Sequence, residues 1–66
     1  MPARLDLYDV RGRRLRTLAD RDLPRGASVL PWDGRDAGGR PAGRGVYFAR
    51  LVTPAGERTA RVLLAR

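Results

Sequence analysis

Cysteine and histidine are both absent from this 66-residue sequence, and so is lysine. Without cysteine, neither a disulfide nor a cysteine-based metal site can form. Without histidine, the chain lacks the most common general base and the most common metal ligand. Seven carboxylates, two tyrosines and the arginines remain for any chemistry. We therefore predict a non-catalytic protein with no cofactor and no small-molecule substrate.

Long apolar runs are also absent, and the chain is short. No stretch approaches the roughly 18 apolar residues that a membrane-spanning helix needs, so we expect no membrane span. Residues 1–6 are not followed by the apolar region of a signal peptide, so we expect this chain itself to lack one. The length allows one small domain, residues 1–66, whose core is marginal without further support.

The charge is one-sided, because fourteen arginines against seven acids give a formal net charge of +7. Such a charge attracts nucleic acid, anionic lipid or lipopolysaccharide. The arginines are nevertheless scattered: Arg13 and Arg14 are the only adjacent pair, and no run of five or six like charges occurs. Arginine without lysine also points to a GC-rich genome, because arginine codons are GC-rich. Composition alone therefore does not single out nucleic acid as the partner.

Short apolar runs with alternating spacing, bounded by glycine, proline and aspartate, are typical of an all-β chain. In the first run, Ala3, Leu5 and Leu7 fall on one face, and in the second run Leu15 is the surest buried residue. A helix over residues 15–23 is not favoured, because its apolar stripe is too thin. The sequence predicts about five antiparallel strands, at residues 3–8, 13–18, 27–32, 45–52 and 58–64.

Tight turns and longer connections separate these runs. Residues 9–12 form a hairpin turn in which Gly12 can take a positive φ. Residues 20–26 and 33–44 form longer connections. In the last hairpin, a three-residue loop at residues 54–56 pairs Thr53 with Glu57.

That register places three apolar pairs opposite one another: Phe48 and Val62, Val46 and Leu64, and Tyr47 and Leu63. Both faces of the hairpin then carry apolar residues near its far end. A slip of one residue would exchange the two faces. The pattern predicts either a central position in a sandwich or a surface that meets another chain.

The densest motif is Trp-Asp-Gly-Arg-Asp-Ala-Gly-Gly-Arg at residues 32–40. We expect Trp32 to end a strand and pack over the core. We expect Asp33 and Asp36 to accept hydrogen bonds from N–H groups of the loop. A calcium site on the two aspartates is the alternative, although the spacing of an EF-type loop is absent. The glycines lack the Gly-Lys-Ser/Thr ending of a phosphate-binding loop.

Nucleic-acid binding by a small basic β-domain is a further alternative, because RNA-binding sheets expose aromatic residues on one face. Tyr47 and Phe48 are neighbours in the sequence and therefore point to opposite faces of a strand. Tyr8 and Trp32 lie in segments that we expect to pack. A shared aromatic face is therefore not predicted, and the sequence does not favour nucleic acid.

Four motifs follow one another along almost the whole chain. They are Tyr-Asp-x-x-Gly-Arg-x-x-x-x-Leu at residues 8–18, Trp-Asp-Gly-x-Asp-x-x-Gly at 32–39, Gly-Val-Tyr-Phe-x-Arg-Leu at 45–51, and Val-Leu-Leu-x-Arg at 62–66. Each motif alone is weak, but the ordered set resembles the FlgD-like immunoglobulin-like domain family and the closely similar C-terminal sorting domain of type IX secretion. The structural motif positions are Tyr8, Asp9, Gly12, Arg13, Trp32, Asp33, Gly34, Asp36, Gly39, Gly45, Tyr47 and Leu51.

The resemblance implies a small immunoglobulin-like β-sandwich within a larger bacterial protein that is secreted or held at the cell surface. Such a module serves sorting, anchoring or assembly. The implied partners are proteins, either the secretion machinery or other domains of the parent protein. The flagellar branch, a scaffold domain of the hook cap, is the alternative. Tyr-Asp repeats of toxin shells share the first motif, but a second Tyr-Asp-x-x-Gly-Arg is absent.

The sequence departs from the family pattern before Tyr8, where members carry a further segment and strand. We therefore expect a module that is incomplete at its N-terminus. Its sheet would keep an exposed edge, which can pair with another protein or with a second copy of the chain.

Overall fold

The computed structural model describes residues 1–24 and 31–65, which form four antiparallel β-strands in one sheet. The strands are β1 (Pro2–Tyr8), β2 (Arg14–Asp22), β3 (Gly45–Thr53) and β4 (Gly56–Leu64). No helix occurs in these two segments. The predicted all-β class is therefore confirmed, together with four of the five predicted strands.

The order of strands across the sheet is β2-β1-β3-β4, so β2 and β4 form its edges. The remaining predicted strand, at residues 27–32, falls mostly on residues 25–30, which lie outside the described part of the chain. Pro31 and Trp32 are described, and neither belongs to a strand, so Trp32 does not end one. The described residues supply one layer, and the sandwich stays a prediction.

The first hairpin joins β1 to β2 and is irregular along β2. The pairing with β1 skips Leu15 and Leu18, which therefore bulge from the ladder. Leu15 is only half-buried as a result, and the buried residue of β2 is Ala19. Residues 20–22 continue β2, so the predicted connection at residues 20–26 starts inside the strand.

The second hairpin joins β3 to β4 and pairs without interruption along all nine residues of each strand. The predicted register is wrong by one residue, because Thr53 lies opposite Gly56 and not opposite Glu57. Gly56 has a φ of 129°, which favours glycine, and it opens the strand instead of ending the loop. Only Pro54 and Ala55 remain in the connection.

The slip exchanges the residues that share a face. Tyr47 lies opposite Val62, and Phe48 lies opposite Arg61, so none of the three predicted apolar pairs forms. The expectation of apolar residues on both faces is still met, because Val62 and Leu63 alternate along β4 and point to opposite faces.

The two faces of the sheet have different surroundings. The segment at residues 31–44 contacts Tyr47 and Arg16, which lie on the same face as Leu7. We call this the covered face and its reverse the open face. Leu7 is 1% exposed and is the one fully buried large side chain of the described residues. Within residues 1–24 and 31–65, the buried apolar residues are Ala3, Leu7, Ala19, Leu23 and Tyr47.

One buried carboxylate lies on the open face. Asp6 accepts hydrogen bonds from the hydroxyl of Thr17 and, at 2.9 Å, from Nε of Arg4. Burial by itself raises the pKa of Asp6, but these hydrogen bonds and the charge of Arg4 outweigh it, so the pKa is lowered. Asp6 is therefore a paired carboxylate that ties β1 to β2.

Candidate functional site

The first motif builds the turn between β1 and β2. Oδ1 of Asp9 accepts hydrogen bonds from the N–H groups of Arg11, at 2.9 Å, and Arg13, at 3.0 Å. The hydrogen bond from the Arg13 N–H is the main reason that the pKa of Asp9 is lowered. Gly12 has a φ of 81°, as the sequence predicts for this turn. Tyr8 ends β1 just before it.

The same turn occurs a second time, at residues 36–40. Oδ1 of Asp36 accepts hydrogen bonds from the N–H groups of Gly38, at 2.9 Å, and Arg40, at 3.0 Å. Gly39 has a φ of 82°, and the N–H of Asp36 donates to the carbonyl of Arg40, as that of Asp9 does to Arg13. The shared pattern is Asp-x-x-Gly-Arg, at residues 9–13 and 36–40, and it was readable in the sequence.

A clamp holds the segment at residues 32–35 to the edge of the sheet. Oδ1 of Asp33 accepts hydrogen bonds from the N–H of Arg35, at 2.9 Å, and from Nη1 of Arg16, at 3.0 Å. Arg16 also donates to the carbonyl of Arg35 at 3.2 Å. Gly34, with a φ of 77°, is buried between these contacts. The predicted role of Asp33 and Asp36 as acceptors of loop N–H groups is thus confirmed.

Trp32 and Tyr47 join this segment to β3. Their rings meet edge to face, with centroids 5.2 Å apart, which is a favourable geometry for aromatic pairs. Nε1 of Trp32 donates to the carbonyl of Arg35 at 2.8 Å, and the hydroxyl of Tyr47 donates to the carbonyl of Gly43. Trp32 is half-buried and therefore covers the edge of the core, not its centre.

The twelve motif positions do not converge on one site. Four of them, together with Arg16, attach residues 32–35 to the sheet: Trp32, Asp33, Gly34 and Tyr47. The two aspartate turns are stabilised separately by their own hydrogen bonds. Gly45, with a φ of 146°, opens β3, and Leu51 lies further along β3, opposite Leu5. The motif therefore defines turns and contacts of the framework.

The calcium alternative does not suit the geometry of the two aspartates. The carboxylate of Asp33 lies beside the guanidinium of Arg16, which would repel a cation. Within the described ranges, no group of three or more acidic side chains is placed to hold a metal ion. The carboxylates instead stabilise the loop.

β4 is the edge strand with the most accessible apolar side chains. Leu63 is 70% exposed on the open face, where its partner in β3 is Val46. Val62 and Leu64 are half-buried on the covered face. The far end of β4 therefore offers apolar side chains on both faces, and no described strand pairs with its outer edge.

No family model, curated protein or solved structure matches this chain. The described residues include no helix long and apolar enough to cross a membrane. The function is therefore inferred from the contacts of the chain itself, and the resemblance to FlgD-like domains stays a prediction.

Proposed function

We propose that the chain is a non-catalytic, immunoglobulin-like β-module of a bacterial secreted or cell-surface protein, and that it serves sorting, anchoring or assembly. The observation that carries this proposal is the edge strand β4, which pairs regularly with β3 and bears apolar side chains on both faces at its far end. A partner protein can add a strand to such an edge and receive these side chains in pockets.

Incompletely buried apolar side chains on the covered face support a role in assembly. Leu51, Val62 and Leu64 are half-buried there, beyond the aromatic contact between Trp32 and Tyr47. A second layer packed on these side chains would complete the sandwich that the family resemblance implies. We propose that a protein partner or another part of the parent protein supplies this layer.

The other edge is less suited to pairing. β2 bulges at Leu15 and Leu18, and the carbonyl of Leu15 accepts a hydrogen bond from the N–H of Ala37 at 3.3 Å. Bulges and covering loops are the devices by which edge strands avoid pairing. The docking of a protein partner is therefore assigned to β4.

A reporter fusion tests the sorting role. Residues 1–66, preceded by the N-terminal segment that the family pattern adds, are placed at the C-terminus of a periplasmic reporter in a bacterium with type IX secretion, and the reporter is measured at the surface and in the periplasm. We expect surface display. Retention of the fusion in the periplasm, with the module shown to be folded by circular dichroism, would reject the sorting role.

A matched pair of variants tests the docking edge. Leu63→Lys places a positive charge on β4, whereas Val10→Lys places the same charge on the first turn. The two original side chains are almost equally exposed, at 70% for Leu63 and 69% for Val10. We expect Leu63→Lys to reduce surface display severalfold and Val10→Lys to leave it unchanged. Equal display by the two variants would show that β4 is not the docking edge.

A further inference from the structure

One row of side chains crosses the open face, with one residue from each strand. Arg14 in β2 lies opposite Tyr8 in β1, Tyr8 lies opposite Phe48 in β3, and Phe48 lies opposite Arg61 in β4. Residues directly opposite one another in antiparallel strands share a face. The sheet therefore places two aromatic residues side by side between two arginines, and we call these four residues the aromatic row.

The aromatic row is accessible to a ligand. The segment at residues 31–44 contacts the covered face, and no described element packs on the open face. Arg14 and Arg61 are exposed, while Tyr8 and Phe48 are half-buried. Both rings line a shallow depression of about 330 Å³, next to Val10 of the first turn.

The charge of the aromatic row is only partly offset by acids, because Arg14 acts on the carboxylate of Asp6 and helps to lower its pKa. Among the described residues, neither Arg14 nor Arg61 forms an ion pair. The acids of the open face lie further along the strands, where Asp6 is bound by Arg4 and Glu57 is bound by Arg50 at 2.6 Å.

Two more groups border the depression. Asp9 is engaged by the turn N–H groups and by the side chain of Arg13. Arg50 lies beside the rings and is held by Glu57. The surroundings of the two rings are therefore positive on balance.

The ligand must combine planar rings with negative charge. Single-stranded nucleic acid has both, because its unpaired bases stack on aromatic side chains while its phosphates contact arginine. Strands lie about 4.8 Å apart, so the row spans roughly 14 Å from Arg14 to Arg61. That length allows a short segment to place bases on the two rings and phosphates near the two guanidiniums.

We propose that the aromatic row binds single-stranded nucleic acid without strict sequence preference. This site goes beyond the protein-docking function assigned to β4. The sequence did not favour it, because Tyr8 was expected to pack and the neighbours Tyr47 and Phe48 point to opposite faces. Tyr47 does lie on the covered face, but Tyr8 joins Phe48 on the open face and supplies the second ring.

Fluorescence anisotropy of a labelled oligothymidylate of about ten nucleotides tests the proposal with the full 66-residue chain. We expect binding at about 50 mM salt that weakens steeply as salt rises. Phe48→Leu keeps an apolar side chain but removes the ring, and should weaken binding about tenfold or more. Absence of binding at low salt by the folded chain would overturn the proposal.

Two arginines of β4 provide a matched control for charge. Arg61 belongs to the aromatic row, whereas Arg58 is also exposed but lies opposite Leu51 on the covered face. Arg61→Ala should weaken binding and reduce the salt dependence by about one phosphate contact, and Arg58→Ala should change binding much less. If Arg61→Ala and Arg58→Ala lost affinity equally, and Phe48→Leu lost none, the binding would be general charge attraction and the proposed site would be wrong.

An anionic polysaccharide is the competing ligand, and heparin is its probe. Oligothymidylate binding that depends on Phe48 and Arg61 supports the proposal. Heparin binding with that dependence, in the absence of oligonucleotide binding, would assign the row to polysaccharide and overturn the proposal.

Discussion

At the scale of single residues, aspartate and glycine determine the two Asp-x-x-Gly-Arg turns. In each turn one carboxylate oxygen accepts two backbone N–H groups, and one glycine with φ near 80° closes the loop. The middle position is free to vary, because Arg11 occupies it in the first turn and Gly38 in the second. The two glycines of the second turn are therefore not equivalent.

Gly39→Ala should lower the free energy of unfolding by about 1–2 kcal/mol, because alanine is strained at a φ of 82°. Gly38→Ala should have no cost or raise the stability by up to about 1 kcal/mol, because it restricts the unfolded chain. A Cβ at Gly38 would lie 3.4 Å from Oδ1 of Asp36, an ordinary contact. Urea unfolding followed by circular dichroism measures both variants. Equal losses would contradict the assigned turn geometry.

The roles of these residues were largely predictable from the sequence, because short-range chemistry determines them. Asp9, Asp33 and Asp36 act as acceptors for nearby N–H groups, and Gly12 takes the expected conformation. The partial burial of Leu15 was not predictable, because it depends on where β2 has an extra residue relative to β1.

At the scale of elements, the register of the last hairpin decides what each face carries. Gly56 belongs to β4 and not to the loop, and this difference of one residue puts Arg61 beside Phe48. The alternation of apolar residues was readable, but the loop length that fixes the register depends on the φ of one glycine. The strands were therefore predictable from the sequence, but the place of Arg61 in the aromatic row was not. The pairing of Tyr8 with Phe48 was not predictable either, because it depends on the long-range contact between β1 and β3.

The segment at residues 31–44 is attached to the sheet by the ring contact between Trp32 and Tyr47 and by hydrogen bonds to Arg16 and Leu15, so its attachment should depend in part on Trp32. Full burial of an aromatic side chain makes its replacement by alanine cost about 3–5 kcal/mol, and Trp32 is half-buried, so we expect Trp32→Ala to cost about 2 kcal/mol. Trp32→Phe retains a ring against Tyr47 and loses the Nε1 hydrogen bond, which should cost about 1 kcal/mol. Urea unfolding followed by far-UV circular dichroism compares them. A loss below about 0.5 kcal/mol for Trp32→Ala would show that the segment stays attached to the sheet without the Trp32 side chain.

At the scale of the whole molecule, the balance of charge makes the fold sensitive to acid. Asp6 and Asp9 have lowered pKa values in the folded chain, so each favours folding above its unfolded pKa, near 4. That contribution is lost as the pH falls through the folded pKa. Protonation of all seven carboxylates would also take the formal charge from +7 to +14, so repulsion adds to the loss.

We therefore expect a stability that is level between about pH 5 and 8 and falls below about pH 4. Asp9→Asn should lower the stability at pH 7 and make its fall in acid less steep, because its pKa contribution is gone. Asp20→Asn removes the same charge from an exposed position and is the control. Thermal unfolding at a series of pH values measures the slopes. Identical profiles for the two variants would exclude Asp9 as a source of the acid sensitivity.

The two edges of the sheet differ in a way that limits how many copies can associate. The edge strand β4 has no bulge and can pair with one further strand. β2 is twisted by two bulges and is partly covered by Ala37. Growth of a continuous sheet requires two competent edges on every chain. Two copies joined through β4 would share a twofold axis, and among the described strands only the two bulged β2 edges would remain, which are poorly suited to a third copy. The expected complex is thus a closed pair or a one-to-one complex with a partner, and not a fibre.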